Sequence, residues 1–202
     1  MLKIVLILIS SSILLFACCH RGERTSHGYR MGDFSFRTMA VIHDNPLRHL
    51  LDNPLRSLKA AGIQPGQQVL EVGCGTGYFT VPAAKLVGDD GCVQAIDLRP
   101  LAIERTEKKV KEAGLNNVQL KLADAAKTGL PDESIDLVFL FGVIHALPLE
   151  AVLPELHRVL KPGGVIAVRG FQGYAKAVTS GGYFSFVDRD KGVLRFEKEQ
   201  TK

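Results

Sequence analysis

The fold is decided by one stretch, VLEVGCGTGYF at residues 69–79. Its first four residues, Val69–Val72, have the composition of a short buried strand. Three glycines then alternate within residues 73–77, and Pro82 predicts that a helix begins near Tyr78. Glycines allow a ligand to rest against the backbone, and a helix N-terminus points free N–H groups at it. The stretch therefore predicts a ligand site at a strand–loop–helix turn.

A glycine loop also occurs in nicotinamide-binding domains. Their G-x-G-x-x-G fingerprint requires a glycine three places after Gly75, where Tyr78 stands. An acidic residue, Glu71, also precedes the first glycine. The loop therefore departs from the dinucleotide pattern, and a nicotinamide-dependent oxidoreductase is kept as an alternative that Tyr78 argues against.

Acidic residues end the next two strand candidates. Asp97 directly follows the strand candidate 92–96, and Asp124 comes two residues after the end of the strand candidate 118–122. A carboxylate at the end of the second strand can accept hydrogen bonds from both hydroxyls of a ribose. Ligands of open parallel sheets bind at the carboxyl ends of the strands, where Glu71 also lies. A single aspartate could be a loop cap, but three acidic residues beside a glycine loop favour a binding site.

Strand and helix candidates alternate along the rest of the chain. Strands are predicted over 69–72, 92–96, 118–122, 135–141 and 165–168, with helices over 101–113 and 151–160. This repetition predicts an α/β fold with a mostly parallel sheet and helices on both faces. Two further candidates, 183–187 and 193–196, predict an antiparallel hairpin at the edge, and residues 161–164 predict a tight turn.

Proline positions predict where helices begin. Pro154 is tolerated only in a first turn, so the helix over 151–160 should begin close to it. Asn45-Pro46-Leu47-Arg48 recurs as Asn53-Pro54-Leu55-Arg56, and each Asn-Pro pair fits a cap followed by the first helical residue. Two short helices are expected, facing inward through Leu47, Leu50, Leu51, Leu55 and Leu58. They would form either a lid over the ligand site or simple packing on the sheet.

Composition is that of an ordinary globular protein. The 202 residues suit one compact domain, with 46% hydrophobic and 23% charged residues. The net charge of +4 includes no basic run typical of nucleic-acid binding, so no nucleic-acid partner is expected. The four cysteines have no metal-ligand spacing, and no metal site is expected. The oligomeric state is left open.

The N-terminal residues 1–19 differ from everything that follows. Their apolar run, 4–16, is shorter than the about 20 residues of a bilayer-spanning helix but suits a signal-peptide core. It ends in Leu15-Phe16-Ala17-Cys18, which resembles the bacterial lipoprotein signal. Three interpretations stay open: a lipid-anchored or exported protein, an uncleaved membrane tether, or a start site placed too far upstream. In the last case a cytoplasmic protein would begin near Met31 or Met39.

The expected organisation is a leader over 1–19, a polar linker over 20–37 and one domain over 38–202. The motifs between about Pro65 and Val168 together resemble class I S-adenosylmethionine-dependent methyltransferases, of the small branch like the ubiquinone and menaquinone biosynthesis enzymes. Besides the glycine loop, the resemblance rests on residues 95–97, 123–125, 130–138 and 156–164. It implies a three-layer Rossmann-like fold with a seven-stranded sheet, S-adenosylmethionine as cofactor, and a small-molecule acceptor that is lipid-like or quinone-like.

The resemblance also implies roles for residues at the strand ends. The glycine loop would hold the methionine part of the cofactor, Asp97 the ribose, and Asp124 the adenine amino group. The residues implied in cofactor binding are Glu71, Gly73, Cys74, Gly75, Gly77, Asp97, Leu98, Asp124, Ala125, Phe141 and Gly142. Asp136 and His157 are expected to be structural.

The implied reaction, methyl transfer from a sulfonium, is an in-line displacement in which the protein mainly aligns donor and acceptor. A general base is needed only if the acceptor must lose a proton. His145, four residues after Phe141, is the candidate base, against a packed or capping histidine. Two rival functions are a non-catalytic S-adenosylmethionine-binding module and a membrane-tethered scaffold. Because the methyl donor is made and kept in the cytosol, an exported enzyme would lack it.

Overall fold

The computed structural model describes residues 23–25, 28–30 and 52–200. Two short strands, β1 Glu23–Thr25 and β2 Gly28–Arg30, pair with each other. The central sheet consists of β3 Gln68–Val72, β4 Cys92–Asp97, β5 Val118–Leu122, β6 Ile135–Phe141, β7 Leu160–Arg169, β8 Phe184–Asp190 and β9 Val193–Lys198. The helices are α1 Pro54–Ala61, α2 Thr80–Val87, α3 Pro100–Glu112, α4 Leu149–Val159 and α5 Tyr174–Thr179, with a 3-10 turn over Ile144–Ala146.

The strand order of the central sheet is β5-β4-β3-β6-β7-β9-β8. Strands β3 to β7 are parallel, whereas β9 is antiparallel to both β7 and β8. The winding reverses between β3 and β6, which is where open parallel sheets bind ligands at their carboxyl ends. The predicted α/β Rossmann-like fold with an antiparallel hairpin at its edge is therefore confirmed.

The hydrophobic core lies on both faces of the sheet. Along β6, Leu137, Phe139 and Phe141 pack with α1 and α2, whereas Val138 and Leu140 pack with α4 and α5. This alternation follows from the two-residue period of a strand. Each such buried side chain contributes about 1.5–3 kcal/mol to folding. The sheet is therefore a rigid base for the loops at its carboxyl ends.

The predicted edge hairpin has longer strands than the sequence pattern indicates. Asp190 pairs with Val193 across a two-residue turn. Both turn residues, Lys191 and Gly192, have positive φ angles of 46° and 82°. Such a turn matches the twist of paired antiparallel strands, which explains why pairing continues to Asp190.

The predicted tight turn over 161–164 lies inside β7 as an irregularity. Leu160 pairs with Ile135, and Val165 pairs with Leu137, so the intervening residues bulge out of register. Gly163 has a φ of 72°, which suits the third position of a type II turn after proline. Strand β7 therefore begins five residues earlier than the predicted 165–168 and ends one residue later.

The prediction for Pro154 is wrong. Helix α4 begins at Leu149, so Pro154 lies inside the helix instead of in its first turn. The missing N–H removes only the helical partner of the Glu150 carbonyl, and Glu150 is exposed to water. The predicted inward residues Val152, Leu156, Val159 and Leu160 are all buried. Burial of this apolar face outweighs the lost hydrogen bond.

The second Asn-Pro pair begins a helix, as predicted. Asn53 caps α1, its Oδ1 accepting the Leu55 N–H at 3.0 Å, and Leu58 is buried. The inward position predicted for Leu55 is wrong, because that residue is 39% exposed. The buried positions of α1 are Pro54, Ser57, Leu58, Ala60 and Ala61. They face α2 and β9, so this helix packs on the sheet.

Several predictions fall outside the described residues. The leader over 1–19, the first Asn-Pro copy, and Leu47, Leu50 and Leu51 lie there. Within the predicted linker, β1 and β2 form a short pair where the sequence pattern indicates no strand. In the part of the chain that is described, no helix is long and apolar enough to cross a membrane.

Candidate cofactor site

The glycine loop leaves β3 at Gly73 and is tied to the end of β4. The N–H groups of Gly73 and Cys74 both donate to the Ile96 carbonyl, at 2.8 and 3.0 Å. The Gly77 N–H donates back to the Cys74 carbonyl at 2.9 Å. The loop is thus a compact turn held at the carboxyl edge of two neighbouring parallel strands.

Close neighbours explain two of the glycines. A Cβ atom on Gly73 would lie 2.9 Å from Val143 Cγ2, and one on Gly77 would lie 3.1 Å from Thr106 Cγ2. Both glycines also have positive φ angles, 79° and 76°. A side chain at either position would collide with its neighbour and strain the backbone. The loop therefore approaches both α3 and the segment after β6 closely.

Asp97, at the end of β4, holds the middle of the loop. Its Oδ2 accepts the Gly75 N–H and its Oδ1 accepts the Arg99 N–H, both at 3.0 Å. Burial raises the pKa of this carboxyl, and the backbone hydrogen bonds act in the opposite direction. A carboxylate offers about four acceptor positions, so each oxygen can still accept a ligand hydroxyl. Leu98 beside it is 38% exposed and offers an apolar surface.

Glu71 is the buried acid of the site. Its Oε2 accepts the Thr80 hydroxyl at 2.5 Å. Burial raises the pKa of Glu71 from 4.5 to about 8, the Thr80 hydrogen bond lowers it, and the charge of Asp97 adds a smaller increase. Because a buried carboxylate is stabilised by a nearby positive charge, this position favours a cationic ligand group.

Cys74 fills the loop from inside. It is buried and lies 3.6 Å from the Thr106 hydroxyl, measured from Sγ to Oγ1. Burial, with the nearby charges of Glu71 and Asp97, raises the pKa of this thiol far above its ordinary value. A buried thiol whose pKa is raised is a weak nucleophile, so the position of Cys74 favours a packing role for its side chain.

The predicted residues after β5 approach those after β4. The Ala123 N–H donates to the Asp97 carbonyl at 3.1 Å, which brings Asp124 next to that strand end. Asp124 Oδ1 accepts the Ala126 N–H at 2.9 Å, and Ala125 is buried. The fold therefore places the Asp97 and Asp124 regions side by side, as predicted from their positions at strand ends.

The residues after β6 lie beside the glycine loop at the carboxyl edge of the sheet. Phe141 is buried and contacts Phe79 edge to face, with ring centroids 5.1 Å apart. Gly142 has a φ of 79° and is exposed. His145 lies on the following 3-10 turn and is also exposed. The candidate base is therefore at the same edge of the sheet as the glycine loop.

The site fits an amino-acid-bearing adenosyl cofactor. The loop is a cradle that side chains would fill, with the buried Glu71 behind it and the Asp97 carboxylate at the next strand end. In the described part of the chain, the buried Thr76 hydroxyl in this loop has no hydrogen-bond partner. A buried polar atom without a partner is costly, which suggests that a ligand supplies one.

Comparison with known proteins agrees with this geometry. Residues 69–164 match the family model of the methyltransferase domain. A demethylmenaquinone methyltransferase of Geobacillus stearothermophilus is 38% identical over 109 residues, which are 54% of this chain and 47% of that protein. The aklanonic acid methyltransferase DauC of Streptomyces sp. strain C5 is 41% identical over 103 residues, 50% of this chain and 47% of that protein. A SAM-dependent methyltransferase of Aquifex aeolicus superposes with a TM-score of 0.68 at 27% identity, over 80% of this chain and 96% of that chain.

The chain carries a class I S-adenosylmethionine-dependent methyltransferase domain. The cofactor of this family is S-adenosylmethionine, and the predicted resemblance is confirmed. The chain spans about half the length of the curated relatives that it matches.

Asp136 and His157, which lie in two of the motifs that carry the family resemblance, stabilise the structure of the domain. Asp136 accepts the Gln68 N–H and the Lys161 ammonium, both at 2.7 Å. His157 Nε2 lies 2.8 Å from the Glu199 carbonyl and packs near Tyr183. Both residues therefore have structural contacts, as expected.

Other residues of the methyltransferase domain were not among the predicted site residues. The sequence indicates no role in the site for Thr76 and Thr80 beyond their position near the glycines. Arg169 could have been identified as the acidic residues were, because it is a charged residue at the carboxyl end of a strand. It forms an ion pair with Asp52, 117 positions away, and no sequence spacing indicates that contact.

Proposed function

We propose that this protein transfers a methyl group from S-adenosylmethionine to a small, quinone-like acceptor. The observation that carries the proposal is the hydrogen bond between the Gly75 N–H and Asp97 Oδ2. It joins a glycine loop and a ribose-type carboxylate at neighbouring parallel strand ends. That pairing suits an adenosyl ligand that lies along the carboxyl edge of the sheet.

The proposed cofactor contacts follow the strand order. The loop over Gly73–Gly77 and the buried Glu71 would hold the amino-acid part, whose ammonium a buried carboxylate favours. Asp97 would accept the ribose hydroxyls. The adenine and the sulfonium would be lined by residues at the ends of the neighbouring strands: Leu98, Asp124, Ala125, Phe141 and Gly142.

The catalytic contribution of these residues is alignment. When bound, the cofactor supplies a methyl group that its positively charged sulfur already activates. Correct positioning of two reacting partners can lower a barrier by about 7–11 kcal/mol. The packed rings of Phe79 and Phe141 would give the sheet edge next to Gly142 an apolar base. A rigid sheet edge is well suited to such positioning.

His145 is the proposed proton acceptor for an acceptor hydroxyl. It is exposed at the same sheet edge, so it can exchange protons with water between turnovers. His145→Ala is expected to lower kcat by about 100-fold or more, a typical effect of losing a general base, while S-adenosylhomocysteine affinity stays unchanged. An unchanged kcat would remove His145 from the mechanism.

The acceptor class is supported by the relatives and by local chemistry. One relative is named for demethylmenaquinone and another for aklanonic acid. In this chain, Phe79 packs on Phe141 and Val143 lies next to Gly73, so apolar side chains surround the start of the segment after β6, which suits an apolar ring. The quinone-like acceptor is therefore proposed ahead of a polymeric one.

The first test is calorimetric titration of the full chain with S-adenosylmethionine, S-adenosylhomocysteine and NAD. Binding of both adenosyl ligands but not NAD supports the proposal and argues against an oxidoreductase. Transfer of a radiolabelled methyl group to a demethylated naphthoquinol then tests the acceptor class. A folded chain that binds neither adenosyl ligand overturns the proposal. Binding with no transfer to any acceptor would favour the non-catalytic module.

We further propose that residues 1–19 tether the domain over 38–202 to a membrane on the cytosolic side. The support is the apolar run of the leader and the cytosolic supply of the methyl donor. Fractionation of cells, followed by protease treatment of intact and lysed spheroplasts, tests this. Release of the domain by protease from intact spheroplasts would contradict a cytosolic location.

A further inference from the structure

Arg169 ends β7 at the side of the site opposite Asp97. It pairs in register with Phe141 at the end of β6. Ala167, two residues earlier, packs in the same half of the core as Phe139 and Phe141. Because alternate strand residues share a face, Arg169 extends from that same face of the sheet. Its side chain therefore stands one strand beyond the proposed sulfonium position.

The guanidinium of Arg169 already holds a carboxylate. Its two terminal nitrogens donate to Asp52 Oδ2 and Oδ1 at 2.9 and 2.8 Å. Two parallel hydrogen bonds of this kind are the geometry by which arginine recognises planar oxyanions. The two side chains are 34% and 25% exposed. The position is therefore an oxyanion site that a side chain of the same protein fills.

The surroundings of this oxyanion site join it to the cofactor loop. Arg169 Cζ lies 5.9 Å from the centroid of the Phe79 ring. The neighbouring Tyr78 hydroxyl donates to the Asp52 carbonyl oxygen. Tyr78 and Phe79 directly follow the glycine loop, and Phe79 contacts Phe141. An acceptor ring beside Phe141 would thus place a substituent within reach of Arg169.

Asp52 lies outside the strands and helices, directly before the helix cap Asn53. Rotation about its side-chain bonds would release the guanidinium, while the Tyr78 hydroxyl still holds the Asp52 backbone. A competing oxyanion could therefore exchange with Asp52 locally.

We propose that Arg169 recognises an oxyanion on the aromatic ring of the methyl acceptor, and that Asp52 occupies this position in the acceptor-free protein. The oxyanion is an enolate, a phenolate or a carboxylate, which share planar or delocalised negative oxygen. This inference rests on the proposed function and deepens it, since it adds a charge requirement to the acceptor. Arg169 is a specificity-determining residue, and Asp52 is its internal competitor.

The proposal separates the effects of three substitutions. Asp52→Asn removes the competing charge and should increase the affinity for anionic ring compounds. Arg169→Gln removes the recognising charge and should abolish the preference for the anion. Arg169→Lys keeps the charge but loses the planar fork, so it should retain part of the preference. A purely structural ion pair would instead lower stability in all three variants without changing any preference for charge.

The test measures binding of matched acceptor analogues to the full chain saturated with S-adenosylhomocysteine. The first pair is lawsone, an acidic hydroxynaphthoquinone, and its neutral methyl ether. The second pair is naphthoate and its neutral methyl ester. A larger preference for the anion in the first pair indicates an enolate-type acceptor, and a larger preference in the second pair indicates a carboxylate-type acceptor. Affinities are measured by calorimetry near neutral pH.

The expected result is that the anion of at least one pair binds the wild-type protein about tenfold or more tightly than its neutral partner, as one charge-assisted pair can supply. The preference should be lost in Arg169→Gln and enlarged in Asp52→Asn. Equal binding within both pairs, no binding of any analogue, or a preference that Arg169→Gln retains would overturn the proposal. If Arg169→Gln fails to fold, Arg169→Lys and Asp52→Asn provide the same comparison.

The titration also separates this proposal from the proposed function. Wild-type protein that binds S-adenosylhomocysteine but shows no charge preference leaves the methyltransferase function standing and removes the role of Arg169. Wild-type protein that does not bind S-adenosylhomocysteine contradicts the methyltransferase function itself.

Discussion

The Gly75 N–H donates to Asp97 Oδ2 over 3.0 Å, so the loop that leaves β3 is held by the carboxylate that ends β4. This bond positions the loop and orients the carboxylate at the same time. Any ligand that bridges the two strand ends therefore meets a preformed surface, which lowers the entropy cost of binding.

Substitution of Asp97 should weaken cofactor binding. Asp97→Ala loses both the loop contact and the proposed ribose acceptors, so affinity for S-adenosylhomocysteine should fall by about 10- to 100-fold, the worth of one or two charge-assisted hydrogen bonds. Calorimetric titration measures the change. The matched control is Asp90→Ala, at an exposed turn position. Equal affinities in the two variants would contradict the role of Asp97.

A side chain at Gly73 should disrupt the loop through collision. Gly73 has a φ of 79° and would place a Cβ 2.9 Å from Val143 Cγ2, whereas Gly66 has a φ of 81° and open space around it. Alanine at either glycine adds about 1–2 kcal/mol of left-handed strain. Only Gly73→Ala adds the collision, so it should be the less stable variant and lose S-adenosylhomocysteine binding. Urea unfolding and titration provide the comparison.

A second substitution tests the cause of that loss. Adding Val143→Ala to Gly73→Ala removes the two methyl groups that the new Cβ would meet. Part of the lost stability should return relative to Val143→Ala alone, because the closest contact is removed, while the 3.1 Å contact with the Cβ of residue 143 and the backbone strain remain. If Gly73→Ala costs as much stability in the Val143→Ala background as in wild type, contact with the two methyl groups does not contribute to the effect.

Glu71 should make the stability of the free protein fall as pH rises. Burial raises its pKa from 4.5 to about 8, so between these values the folded protein holds a proton that the unfolded chain has released. The contribution is complete below pH 4.5 and is lost as pH rises through about 8. The slope should approach about 1.4 kcal/mol per pH unit. Urea unfolding of wild type and Glu71→Gln across this range should show the steeper slope in wild type; equal slopes would contradict the assignment.

Glu155 should have the opposite dependence on pH. It accepts hydrogen bonds from Arg158 and Thr128, which lower its pKa from 4.5 to about 2. Its contribution is therefore present above pH 4.5 and lost as pH falls through about 2. Glu155→Gln should cost about 1–3 kcal/mol near neutral pH, because a charged acceptor is lost.

An exposed glutamate is the matched control for Glu155. Glu112 lies 3.8 Å from Lys108, and its side chain is 63% exposed. Glu112→Gln should change the free energy of unfolding by less than about 0.5 kcal/mol, since exposed pairs of this kind contribute little. Equal losses in the two variants would show that the Glu155 contacts add no stability beyond an exposed pair.

Local signals explain which parts of the fold could be predicted. The strand Val118–Leu122 has the predicted bounds, and the helix over Pro100–Glu112 differs by one residue at each end. Alternation and capping act between residues close in the chain, so they can be recognised along the sequence. The wrong prediction for Leu55 shows the limit of these local patterns. Leu55 and Leu58 are three residues apart and are neighbours on the surface of α1, and only contact with α2 and β9 selects Leu58 for burial.

The sequence by itself determined the alternation of strands and helices, the glycine loop and the acidic residues at the strand ends, because these depend on local conformational preferences and on the two-residue period of strands. Tertiary structure alone decided the raised pKa of Glu71, the close approach of Val143 to Gly73, and the pairing of Arg169 with Asp52. Burial, steric contact and ion pairing depend on distances in space. Folding brings together residues as far apart in the chain as Asp52 and Arg169, and no local pattern encodes that distance.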